Sequence, residues 1–300
     1  MPARLGNPAD REPANREPAY REDAGMVDVS RPGQEGEVWL PLPEGYAPLR
    51  VARRIGLADL LAVLRLGLAD YSRHWRYGFA FGMVYVVAGS LLIGGSLALG
   101  WGHAIFPSLS GFLLFGPFAA LGLYEISRRR EAGQGIARRD VFLAFRRHGG
   151  TQIALLGLGL VIATLFWFKA ATLIYALYFG LSPIGLTELL MRALTTEEGL
   201  RFAVTGIAVG AVFAGAIFAG TVFAVPMLLD RDIDVLTALA TSIKAVRDNA
   251  AVMLAWGALV SALMALGLLA GLIGLAVVLP ILGHATWHLY ARVLRSADGA

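Results

Sequence analysis

Counted from the prolines of three apolar segments, the ionisable residues fall in step. Asp230 lies four residues after Pro226 and His284 four after Pro280, while Glu125 lies eight after Pro117 and His288 eight after Pro280. Residues four apart on a helix share a face. If the three segments run alongside one another, two carboxylates and two imidazoles meet at one depth. Imidazole with carboxylate suits a transition metal such as zinc or iron, or a proton relay. The competing reading is a hydrogen-bonded polar lock between helix ends, with Trp287 and Tyr290 as interface anchors. Ionisable residues inside a membrane are functional candidates by default, which also brings Lys169 into view, although its length lets it snorkel outward.

Other chemistries lack their residues. The chain has no cysteine, which removes disulfides, thiolate metal sites and cysteine nucleophiles. The His284/His288 segment lacks the glutamate of a zinc-protease helix, and no phosphate-cradling loop, nucleophile elbow or dinucleotide fingerprint occurs. Two histidines on one helix cannot be opposite axial ligands of one haem, so a haem would need His74 or His148 as well. No cofactor is expected.

The elements that must position these residues are membrane helices. Of the 300 residues, 57% are hydrophobic and 16% charged, against averages of about half and about a quarter. The charge is also segregated, because fifteen of the first fifty residues carry it. Apolar runs of about eighteen or more residues read as spanning helices. The expected fold is therefore all-α, a polytopic membrane helical bundle. Six transmembrane helices are expected, over about residues 78–100, 104–126, 151–179, 202–229, 250–270 and 272–293. Residues 1–50 hold eight of the thirteen prolines and three copies of an REPA-like repeat. Such a composition cannot bury enough apolar surface to offset ordering entropy, so a disordered tail precedes the membrane domain at 51–295.

Three amphipathic segments punctuate the spans. The first places Leu57, Leu60, Leu61, Leu64, Leu68, Tyr71 and Trp75 at helical spacing. A middle one begins at Asp140-Val141-Phe142. The last sets Leu236, Leu239, Ile243 and Val246 against Thr237, Thr241, Lys244 and Asp248. Helices of this kind lie in the membrane interface with the apolar face down. Asp59-Leu60-Leu61 aligns with Asp234-Val235-Leu236 at an offset of 175, and the same offset brings Phe81-Gly82 onto Trp256-Gly257. The chain thus reads as three repeats of interfacial helix plus transmembrane hairpin, with a proline kink (Pro117, Pro226, Pro280) in each returning span. Leu186, Leu189, Leu190 and Leu194 suggest a further surface helix, and Thr195 with Glu198 matches a capping box opening the fourth span. The aromatic far end of the third span (Phe166, Trp167, Phe168, Tyr175, Tyr178) fits a headgroup boundary. The pairs Gly78/Gly82, Gly206/Gly210 and Gly267/Gly271 permit close helix packing within the bundle.

Orientation follows from the 24 arginines and two lysines. With six spans, eighteen basic residues from Arg50 onward fall on one side, against Arg192 and Arg201 on the other. Excess Lys and Arg marks the cytoplasmic face, so both termini are expected there.

Three blocks carry a resemblance: GPFAALGLYEISRRREAG from Gly116, PMLLDRDIDVLTALATSIKAV from Pro226, and PILGHATWHLYARVL from Pro280. Across residues 55–294 the chain resembles a family of uncharacterised proteobacterial integral membrane proteins, a domain of unknown function whose members are in some cases labelled cytochrome c oxidase subunit I-like. The resemblance implies an inner-membrane multi-helix protein with no established activity. The chain has five histidines, too few for the haem and copper ligands of that oxidase subunit.

The function expected from these readings is non-enzymatic: a scaffold, accessory or assembly partner in the membrane. The alternative is a small transporter or metal-handling protein using Glu125, Asp230, His284 and His288. The expected partners are the lipid bilayer and a second membrane protein or a second copy of the chain. Nucleic acid is not among them, because the arginines flank apolar runs.

Overall fold

The computed structural model describes residues 20–21, 26–28, 39–41, 54–144, 150–180 and 184–295. Contacts divide the chain after residue 48. In the first unit, β1 (Tyr20–Arg21), β2 (Met26–Asp28) and β3 (Trp39–Pro41) pair antiparallel in the order β1-β2-β3. The composition of the tail gave no sign of this pairing.

The second unit is all-helical among its described residues. In chain order it comprises α1 (Leu57–Arg73), α2 (Trp75–Ala98), α3 (Ile105–Leu113), α4 (Gly116–Ala119), α5 (Leu121–Glu131), α6 (Arg138–Phe142) and α7 (Gly150–Phe179). Then follow α8 (Leu186–Thr195), α9 (Glu197–Thr221), α10 (Ala224–Asp230), α11 (Val235–Asp248), α12 (Ala250–Leu269) and α13 (Leu275–Tyr290), which runs into a π-helical turn, Ala291–Arg295. Among the described residues, four helices are long and apolar enough to cross a membrane: Trp75–Ala98, Gly150–Phe179, Glu197–Asp230 and Ala250–Leu269. The expected second span is broken into α3, α4 and α5, and the expected sixth is the 16-residue α13.

The core is built around α13. It packs against α1, α2, α5 and α12, and most of its side chains from Leu275 to Tyr290 are buried. Small residues make this possible. A Cβ on Gly67 of α1 would lie 2.7 Å from Ile281 O and Ala285 N, and one on Gly82 of α2 would lie 2.4 Å from Ala276 Cα. Pro280 has no N–H to offer the carbonyl of Ala276 four residues earlier, and it is beside this carbonyl that Gly82 packs. Gly78 sits against Tyr71 and Pro280. The pair Gly78/Gly82 therefore packs as expected. The others do not form such pairs: Gly206 faces open space, Gly210 meets only the Trp167 ring, and Gly267 packs on Leu275 whereas Gly271 supplies a positive φ to the turn before α13.

The proline positions differ in their effect. The chain breaks just before α4 and α10, which contain Pro117 and Pro226, while α13 continues through Pro280. At the break before α10, Ser242 of α11 enters the helix ladder: Phe223 N donates to Ser242 Oγ at 3.2 Å, and Oγ donates to Ala219 O at 2.7 Å. A hydroxyl thus bridges the donor and acceptor that an unbroken helix would pair directly, which is how a membrane helix tolerates such a break.

The amphipathic helices leave several leucines exposed, as a face lying on a membrane would be, and make their protein contacts along another line of residues. On α1 the buried positions are Leu60, Val63, Gly67 and Asp70, while Leu57, Leu61, Leu68 and Trp75 at the start of α2 are exposed. On α11 the buried positions are Ala238, Thr241, Ser242 and Ala245, and Leu236 is exposed. Between apolar surroundings there is no hydrophobic gain in turning leucine inward, so lines of small residues make the protein contacts and large side chains face outward. Trp167 and Tyr175, expected at the boundary, are also buried: Trp167 Nε1 donates to Ser110 Oγ at 2.9 Å, and Tyr175 Oη accepts from Ile184 N at 3.0 Å.

Two helix starts show their chemistry in detail. The surface helix after the third long helix is present as α8, but the cap of α9 is Thr196, one residue beyond the expected Thr195, and its Oγ1 accepts from Gly199 N at 3.0 Å. Asp234 caps α11 by accepting from Leu236 N and Thr237 N, both at 2.9 Å. The Thr237 side-chain and backbone hydrogen bonds hold its carboxyl below the ordinary value. The cap therefore contributes stability above the unfolded carboxylate value of about 3.9 and loses it as pH falls through the lower folded value. Asp234→Ala is expected to cost about 1 kcal/mol, and its melting difference from the wild type in detergent should shrink on acidification.

Candidate functional site

The ends of α1, α5, α10 and α13 meet in a buried polar cluster. Asp70, Glu125, Ser127 and His284 have no exposed surface, and His288 is nearly as buried. Their positions follow from the packing already described. Gly67 lets α1 approach α13, and one turn further on Asp70 lies on the same buried line. His284 and His288 are four apart on α13 and so face the same neighbours.

The connections run through this cluster in sequence. Ser127 Oγ donates to Asp70 Oδ2 at 2.6 Å and lies 2.8 Å from His284 Nδ1. His288 Nε2 lies 2.9 Å from Asp70 Oδ2, and its Nδ1 lies 3.0 Å from Glu131 Oε1. Arg130 pairs with Asp70 Oδ1. Glu131 Oε2 accepts from Trp287 Nε1 at 3.1 Å and from Arg295 at 2.9 Å. Arg295 also meets Asp230 at 3.2 Å, and Tyr290 Oη donates to Asp230 at 2.9 Å. Burial pushes the Glu131 carboxyl up, but the hydrogen bonds from His288 and Trp287 and the charge of Arg295 together outweigh it and hold the group below its ordinary value.

Of the four candidates counted from the prolines, all lie at this end of the bundle but they do not converge on one point. Glu125 is held within α5 by Arg128, at 2.7 and 2.9 Å, and by Arg129 at 2.6 Å. Asp230 is joined to the histidines only through Arg295 and Glu131. Among the described residues no three His, Cys, Asp or Glu side chains are grouped to hold a metal ion. The metal reading of the set therefore lacks a geometry, because arginines stand where a cation would have to sit. Trp287 and Tyr290 are buried members of the cluster rather than interface anchors. Lys169 is exposed on α7, as snorkelling requires. His148 lies outside the described residues.

Sequence reasoning missed Asp70, Ser127, Arg130 and Glu131. The available signal was Asp70 in line with Leu60, Val63 and Gly67 at helical spacing. Selecting the leucine-rich face instead concealed it.

The opposite end is of another character. His103 stacks on Tyr175 with ring centroids 4.9 Å apart, and Tyr175 packs with Phe179 and Phe202. Its arginines pair locally, Arg192 with Glu188 at 2.6 Å and Arg201 with Glu197 at 2.5 Å. Exposed pairs of this kind contribute little.

Long apolar helices around a buried polar cluster make the second unit a helical, polytopic integral membrane domain. Residues 105–230 match the family model described as a predicted integral membrane protein, DUF2189. Over that stretch the chain is similar to an uncharacterised membrane family. No curated protein and no solved structure matches it.

Proposed function

We propose that the chain crosses a bacterial inner membrane six times in three repeats, with both ends in the cytoplasm, and serves there as a non-catalytic scaffold or assembly partner. Several observations support the repeat. The break between α1 and α2 falls at His74 with φ −121° and ψ 29°, and the break between α11 and α12 falls at Asn249 with φ −121° and ψ 30°. These positions are 175 residues apart, the offset read from the sequence. Gly67 and Ser242, related by the same offset, are both points of close approach to a returning helix. Each amphipathic helix also packs on the returning helix of the unit before it: α6 on α5, α11 on α9 and α10, and α1 on α13. The last contact closes the series into a ring.

The observation that carries the scaffold reading is the use to which the ionisable groups are put. Asp70, Glu131 and His288 join α1, α5 and α13 to one another, and Asp230 joins α10 to α13 and the π turn. Removing such groups from water is costly unless they are paired and hydrogen-bonded, and here the pairing fastens helices together. The test is purification of the tagged full-length chain from native membranes in a mild detergent, alongside reconstitution into liposomes. The reading expects one membrane partner in a fixed ratio and no metal-ion or proton flux above protein-free vesicles. Flux that is lost in His288→Gln, with no partner recovered, would replace it with a transporter.

A further inference from the structure

We propose that His288 is a proton-binding site, a doubly protonated imidazolium that bridges the buried Asp70 carboxylate and the partly exposed Glu131 carboxylate and so joins α13 to α1 and α5. The argument is a count of donors. Both ring nitrogens face a carboxylate oxygen, at 2.9 Å to Asp70 and 3.0 Å to Glu131. A neutral imidazole carries one N–H, so it can satisfy only one of them unless a carboxylic acid supplies the other proton. The remaining partners of those carboxylates argue against a carboxylic acid. Asp70 already faces Arg130 and the Ser127 hydroxyl, and Glu131 faces the Trp287 N–H and Arg295. The guanidinium beside each, Arg130 at Asp70 and Arg295 at Glu131, favours the ionised carboxylate. The proton is therefore on the ring, and both contacts are charge-assisted.

Titratable and charged groups reach this cluster from several elements. α1 contributes Asp70, with His74 at its C-terminal end; α5 contributes Arg130 and Glu131. Within α13, His284 is engaged by Ser127. The π turn brings Arg295, which connects onward to Asp230 of α10. On the remaining sides α2 presents Tyr77 and Tyr85, and α12 contains no titratable residue. Deprotonation would leave one carboxylate facing a ring lone pair, and the bridge to that helix would be lost.

This inference rests on the cluster being an interhelical lock, but a missing partner in purification would leave it untouched, so the two fail separately. The test uses full-length protein labelled with 15N-histidine in bilayers at pH 7.5, about one unit above the ordinary imidazole value of about 6.5. His288 is assigned by the signal lost in His288→Gln or, if that variant does not fold, by elimination with substitutions of the other histidines. Both His288 nitrogens are expected to carry protons in the wild type, and one of them to lose its proton in Glu131→Gln. A neutral His288 ring in the wild type, or a doubly protonated ring unchanged in Glu131→Gln, overturns the proposal.

Discussion

Asp70→Ala is expected to be the most damaging single substitution in the protein, lowering stability by about 3–5 kcal/mol, the range for removing one partner of a buried ion pair. The carboxylate is fully buried and receives Arg130, Ser127 and His288 together. Its loss leaves Arg130 and one ring nitrogen of His288 without their shared partner. The same change at Asp232, which is exposed, should lie within about 0.5 kcal/mol of wild type. Thermal unfolding in detergent measures both. Equal melting of the two variants would mean that Asp70 does not hold α1 to α13.

The second large effect is expected at Gly82. A methyl group there would lie 2.4 Å from Ala276 Cα and 2.7 Å from Ala276 O, both backbone atoms that cannot rotate away. Gly82→Ala must therefore push α2 from α13, at a cost of about 1–3 kcal/mol for an overpacked contact. Gly206→Ala is the matched control, because nothing lies within 4 Å of its added carbon. An alanine in an exposed helix replaces a poorer helix former, so the control should melt at or above the wild type. Parallel destabilisation of the two variants would contradict the packing described.

These two sites also show what could be read from the chain and what could not. The positions of the long helices were legible because eighteen uncharged apolar residues in a row have few alternatives to spanning a bilayer. The 175-residue offset was legible because both copies keep an acidic residue near the start of the amphipathic helix. Its helical face was not. The leucine-rich face, expected to lie on the membrane, was the one singled out on α1 and α11, where Leu61 and Leu236 are exposed and Gly67 and Ser242 on another face make the protein contacts. That choice of face hid Asp70 and, with it, the partner of His288.

The polar set itself was half legible. Spacing from the prolines brought Asp230, His284 and His288 to one end of the bundle, which is where they lie. It could not distinguish a shared ligand site from a chain of ion pairs, because the deciding groups are arginines. Arg128 and Arg129 close off Glu125, and Arg295 stands between Asp230 and Glu131. Counting basic residues for orientation treated these arginines as charge facing solvent and lipid. Arg128 and Arg129 instead fold onto Glu125 within α5, and Arg130 reaches Asp70, 60 residues earlier in the chain, a partner that leaves no local pattern.

The account depends most on α13 crossing the membrane, since its 16 residues are fewer than the other long helices contain. The chain has no cysteine, so single cysteines can be introduced without background. Gly135→Cys lies in open space in the loop between α5 and α6, and Ile273→Cys lies on the exposed turn before α13. The measurement is labelling of intact cells with a membrane-impermeant maleimide. The account predicts reaction at position 273 in intact cells and at position 135 only after the membrane is opened. Reaction at both positions under the same condition would mean that the helices between them do not cross as described.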